Sequence, residues 1–60
     1  MFDPILKAKA GTGEEITIFT PYGTTTGVVE KVYEDGTFLF KSKATRPFRL
    51  YMSDVLFLAE

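Results

Sequence analysis

The stretch Thr24-Thr25-Thr26-Gly27-Val28-Val29-Glu30-Lys31-Val32-Tyr33-Glu34-Asp35-Gly36-Thr37-Phe38-Leu39-Phe40-Lys41-Ser42-Lys43 decides the fold. Its first part is crowded with β-branched and aromatic residues, which suit a pleated, half-buried surface. Asp-Gly between two apolar runs is a strong hairpin signal, because glycine takes the positive φ that such turns require. The stretch therefore reads as a long strand over 24–34, a turn at Glu34-Asp35-Gly36, and a strand over 37–43. In the second strand, alternation puts Phe38 and Phe40 on one face and Leu39 and Lys41 on the other. Gly27 interrupts the long strand. A lone glycine there marks a bulge, a sharp bend or a close backbone approach. A strand that serves both halves of a small bent sheet needs such a point.

Outward toward the N-terminus, Glu15–Thr20 is a further strand, closed by a turn at Pro21-Tyr22-Gly23. Ahead of it, residues 4–10 read as a helix of about two turns. Asp3 suits its cap, Pro4 its first position and Gly11 the residue after its end. Lys7 and Lys9 sit where the helix dipole favours positive charge. A helix this short does not stand alone in water, so it is expected to dock through Phe2, Ile5 and Leu6.

Outward toward the C-terminus, Ala44-Thr45-Arg46-Pro47 is the next connection and 47–52 the next strand. Phe48, Leu50 and Met52 fall on one side of it, Arg49 and Tyr51 on the other. Ser53-Asp54 breaks the chain before a last strand over 55–59. Val55-Leu56-Phe57-Leu58-Ala59 shows no polar alternation, the pattern of a strand covered on both faces. The expected architecture is one domain over residues 1–60. It is all-β, a small five-stranded, strongly bent antiparallel barrel with a short N-terminal α-helix. Short connections make neighbouring strands antiparallel.

Size and composition point beyond a lone chain. A 60-residue domain buries only about 60% of the surface its unfolded chain exposes. Yet 45% of the residues are apolar, including six Phe and three Tyr, more than one small core accommodates. Cysteine and histidine are both absent, so a disulfide, a thiolate metal site and a histidine base are excluded. Association is the stabiliser that remains, with the last strand as the face to be covered. The candidate subunit interface is Phe48, Leu50, Val55, Leu56, Phe57 and Leu58, and a homo-oligomer is the expected partner state.

The chemistry of catalysis is missing. Gly11-Thr12-Gly13 lacks the lysine of a phosphate loop and reads as a linker. Glu14-Glu15 and Glu34-Asp35 are adjacent carboxylates whose side chains diverge along a strand. No cofactor and no metal are expected, and the chain reads as non-enzymatic. Net charge is −1, so no general positive field attracts nucleic acid. A local cluster does exist: Lys41, Lys43, Arg46 and Arg49 are four of the seven basic residues, and Tyr51 lies beside them. Basic groups next to aromatics suit single-stranded RNA, which stacks its bases and is held by its phosphates. The same residues also serve to keep a hairpin end solvated and a sheet edge unpaired. Tyr22 and Tyr33 sit at turns and receive no role. No membrane span and no leader peptide are read, and the expected location is the cytoplasm.

Taken together, the chain resembles the Sm-like family of small barrels, which includes Hfq and the archaeal and eukaryotic Sm proteins. The features that carry the resemblance are the short helix, the turn at Gly23, Thr26-Gly27-Val28-Val29 on a long second strand, the Asp35-Gly36 hairpin, and Ser53-Asp54 before Val55-Leu56-Phe57-Leu58. It implies a ring in which the fourth strand of one subunit pairs with the fifth of the next, which would cover the last strand. At the positions of the family's RNA-contacting pairs this chain carries Tyr33, Thr37, Tyr51 and Met52, so those contacts are not carried over. Similar barrels occur in SH3-like, tudor and KOW domains. The alternative expectation is accordingly a structural or protein-interaction barrel, such as an accessory module of a phage or bacterial regulator, without nucleic-acid binding.

Overall fold

The structure, a computed structural model, describes residues 3–59, with side chains from residue 4. The expected docking of Phe2 and capping by the Asp3 side chain lie outside the described residues. The element order is α1 (Asp3–Lys9), β1 (Glu15–Thr20), β2 (Gly23–Val32), β3 (Thr37–Ser42), β4 (Phe48–Tyr51), a single 3₁₀ turn (Met52–Asp54) and β5 (Phe57–Ala59). All five strands form one antiparallel sheet in the order β4-β3-β2-β1-β5. The expected all-β class and strand count hold. Closure does not: β4 and β5 each have one neighbour, so the sheet is bent but open, with two free edges.

The long strand works as the hinge of this sheet. β2 pairs with β1 from Gly23 to Val28 and with β3 from Gly27 to Val32, so both ladders overlap at Gly27 and Val28. At Gly27 the neighbouring backbone comes so close that a β-carbon would lie 2.1 Å from the Lys41 carbonyl oxygen. Glycine is therefore required for proximity. The bulge lies three residues later. Val29 faces Phe40 and Lys31 faces Leu39, leaving Glu30 unmatched. That extra residue changes the parity of the strand, so Val29 and Val32 come to face Phe40 and Phe38 respectively.

The core that results is Leu6, Ile16, Ile18, Val29, Phe38, Phe40 and Val55. Phe40 meets Phe38 and Phe48 edge-on, at centroid separations of 6.4 and 6.0 Å, a favoured arrangement of ring quadrupoles. Val32, Phe48, Leu50, Met52 and Leu58 pack around the rim of this cluster. The helix contributes Leu6, wholly buried, with Ala10 against the core. Ile5, expected to dock as well, is 38% exposed and points away from the core. The helix end is tied down where Gly11, at φ 75°, donates its N–H to the Val29 carbonyl at 3.0 Å.

Element ends differ from the sequence expectation for local reasons. β2 stops at Val32, not 34, because Tyr33 already donates across the turn to the Thr37 carbonyl. β3 stops at Ser42, whose hydroxyl and carbonyl pair with Thr45 to close a turn. Met52 leaves β4 for the 3₁₀ turn, its N–H donating to Gly36. β5 shrinks to three residues because Val55 turns into the core first.

Candidate interaction site

Three surface features stand out: the β5 edge, the β4 edge and the outer face of β2–β4. At the β5 edge the last segment does not behave as one uniformly apolar strand. Val55 is buried and Leu58 is half-buried against the core. Leu56 and Phe57 are 63% and 59% exposed. Phe57 rests on Phe19 of β1, centroids 5.7 Å apart, and these two are directly opposite in the ladder. The Leu56 N–H donates to the Phe19 carbonyl at 2.8 Å, so the segment is pinned to β1 while its outer side stays bare.

At the β4 edge, Phe48 and Leu50 turn toward the core face, and Arg49 and Tyr51 toward the outer face. Phe48 and Leu50 are only half-buried. The bend of the sheet brings the β1–β2 turn over them. Thr20, Tyr22 and Thr25 then form the opposite wall of an open, largely apolar groove whose floor is Phe48 and Leu50. Tyr22 stands at its rim, 84% exposed as a residue. Of the residues expected at an interface, Phe48 and Leu50 thus gather in one groove. Leu56, Phe57 and Leu58 belong to the opposite edge, and Val55 belongs to the core.

The basic cluster divides in the same way. Lys41, Arg49 and Tyr51 project from strands, while Lys43 and Arg46 stand on the connection after β3. Arg49 lies over the Tyr33 ring at 4.0 Å and reaches Asp35 with Nη2 3.6 Å from Oδ2. Lys31 approaches the same ring, its Nζ 5.5 Å from the centroid. Two cations therefore share one aromatic ring, a contact of about 0.5–1 kcal/mol each at exposed sites. Lys43 lies 3.5 Å from the Glu15 carboxylate. Such exposed pairs contribute about 0–1 kcal/mol and exchange readily with water. Lys41 and Arg46 are exposed and hold no ion pair among the described residues.

Tyr33, Lys31 and Phe19 are the surface residues that reading the chain missed. Tyr33 and Lys31 sit next to the bulge, where simple alternation misassigns faces. Phe19 is at the end of β1, and only the β1–β5 pairing reveals its partner. The hairpin beneath Arg49 is itself well built. Asp35 accepts hydrogen bonds from the Thr37 hydroxyl and the Thr37 N–H. The Thr37 hydroxyl bond holds the Asp35 carboxyl below its ordinary value of 3.8, helped by the Thr37 N–H and by Arg49.

Among the described residues there is no group of three potential metal ligands, and no helix is long and apolar enough to cross a membrane. Against family models, curated proteins and solved structures, no match to this chain was found.

Proposed function

We propose that this chain is a non-enzymatic, Sm-like subunit of a homo-oligomer, joined through its two open sheet edges. The observation that carries the reading is the edge pair itself. Among the described residues β4 and β5 each pair with one strand only, and each is flanked by exposed or half-exposed apolar side chains. Unpaired strands with apolar flanks are templates for another chain, and proteins that remain monomeric blunt them with charge, proline or a bulge. Here β5 carries no charge from Phe57 to Ala59, whereas β4 carries Arg49 and follows Pro47, so β5 is the less protected of the two edges. Because the two edges differ, joining one to the other makes a heterologous contact, which closes into a ring when the rotation allows it.

Light scattering at micromolar concentration tests this. The expected result is a defined multiple of the chain mass. A monomer across that range would refute the reading.

A second reading is that the outer face holds single-stranded RNA. It is favoured by the exposure of Tyr51 beside Arg49 and by Lys41 and Arg46, which have no ion pair among the described residues. Fluorescence anisotropy with short U-rich and A-rich RNAs should then show affinity that falls steeply with salt. Lack of binding at low salt leaves the structural role alone.

A further inference from the structure

The open groove between β4 and the β1–β2 turn has the build of a side-chain anchor, and the charges around it are of one sign. We propose that it receives an aromatic side chain from an acidic segment of another protein. This goes beyond the edge-joined assembly and does not rest on it.

Size and shape supply the first argument. The groove holds about 230 Å³, less than the roughly 300–1,000 Å³ of sites that enclose a free small molecule. That volume suits one large side chain presented by a segment lying across it. The floor is Phe48 and Leu50, and Tyr22 stands exposed at the rim. Tyrosine offers a large contact area with few rotamers to fix, which is why it recurs at the centre of interfaces. The wall is already ordered. The Thr20 hydroxyl accepts from the Tyr22 N–H at 3.2 Å and donates to the Gly23 carbonyl at 2.9 Å. A partner therefore meets a turn that needs little further ordering.

Charge supplies the second. Residues 16–29, which carry the wall, contain no charged side chain, and residues 36–53 contain Lys41, Lys43, Arg46 and Arg49 but no acid. Lys43 and Arg49 are engaged with Glu15 and Asp35. Lys41 and Arg46 are exposed and hold no ion pair among the described residues. Both adjoin the Phe48 end of the floor. Lys41 follows Phe40, which pairs with Phe48, and Arg46 precedes Phe48 by two residues. An apolar groove with two unengaged cations at one end fits an aromatic residue followed by carboxylates, and it disfavours a basic segment.

Fluorescence anisotropy with the full chain and a labelled peptide of one tryptophan followed by several glutamates tests this. Binding should saturate at one peptide per chain. Replacing the tryptophan with alanine, or the glutamates with lysines, should weaken it at least about tenfold. Tyr22→Ser and Arg46→Glu, both at exposed positions, should do the same, with circular dichroism confirming that each is folded. Lys7→Glu makes the same charge change on the helix and should leave the affinity unchanged. Because Phe48 and Leu50 belong to β4, the seated segment competes with a neighbouring copy for that edge. Saturating peptide should therefore lower the mass of any assembly, read by light scattering, toward one chain with one peptide. The proposal is overturned by absence of binding at millimolar peptide, by an equal loss in Lys7→Glu, or by an assembly whose mass is unchanged at saturation. It is overturned as well if U-rich RNA displays the same dependence on Tyr22 and Arg46 in place of the peptide. A monomeric wild-type chain that binds the peptide would refute the assembly alone.

Discussion

A β-carbon at position 27 would lie 2.1 Å from the Lys41 carbonyl oxygen and 2.8 Å from two further backbone atoms. Backbone cannot swing aside as a side chain can, so Gly27→Ala must push β2 and β3 apart. Overpacking of this kind costs about 1–3 kcal/mol. Gly36 is different: its φ is 87° and a β-carbon there meets nothing within 4 Å. Gly36→Ala should cost about 1–2 kcal/mol through left-handed backbone strain alone, and Gly36→Asn less. Urea titration distinguishes these cases: the asparagine variant should recover part of the loss at 36, whereas no small residue other than glycine should be tolerated at 27. Asp35 makes a pH prediction. Its folded pKa is lowered, chiefly by the Thr37 hydroxyl. Its stabilisation is therefore present above the unfolded value near 3.8 and is lost as pH falls through the lower folded value. Asp35→Asn should be less stable than wild type at neutral pH. The gap in urea midpoint should close in acid, and a constant gap across that range would contradict the assignment.

At the scale of elements, Leu6 is the residue of the helix, among those described, that enters the core. Leu6 is wholly buried among core side chains, whereas Ile5 is substantially exposed. Leu6→Ala should cost about 2–5 kcal/mol, and Ile5→Ala well under half as much. Equal losses in thermal or urea unfolding would show that both faces of the helix are covered. The strands illustrate where reading along the chain succeeds and where it stops. Alternation correctly separated Phe38 and Phe40 from Leu39 and Lys41, because β3 is regular. In β2, Val28, Val29 and Val32 show no clean period of two, and the reason is Glu30. The bulge there brings Val29 and Val32 to one face. Gly27, whose place inside the long strand suits a bulge, a bend or a close approach, serves close approach. The apolar run over 55–59 predicts cover on both faces; Val55 and Leu58 meet the core, and Leu56 and Phe57 are left exposed. A run of apolar residues says that burial is wanted and leaves open where the cover comes from.

For the molecule as a whole, stability is coupled to association if the open edges are joined. The melting temperature should then rise with protein concentration, because the folded state is drawn off into the oligomer. A melting temperature independent of concentration over two decades would separate this chain from an obligate assembly. An interface made mainly of Leu56, Phe57 and the Phe48–Leu50 groove should also persist in high salt, where long-range charge attraction is screened. The sequence by itself determined the short helix, the strand content and the Asp35-Gly36 hairpin. These follow from side-chain shape, allowed φ and alternation, which act over a few residues. Only the tertiary structure decided that the sheet stays open, that Glu30 is the bulge, that Tyr33 is shared by Arg49 and Lys31, and that Leu56 and the Phe48–Leu50 groove stand at opposite edges. Each of these depends on which strand lies beside which, and one unmatched residue reverses every face that follows it.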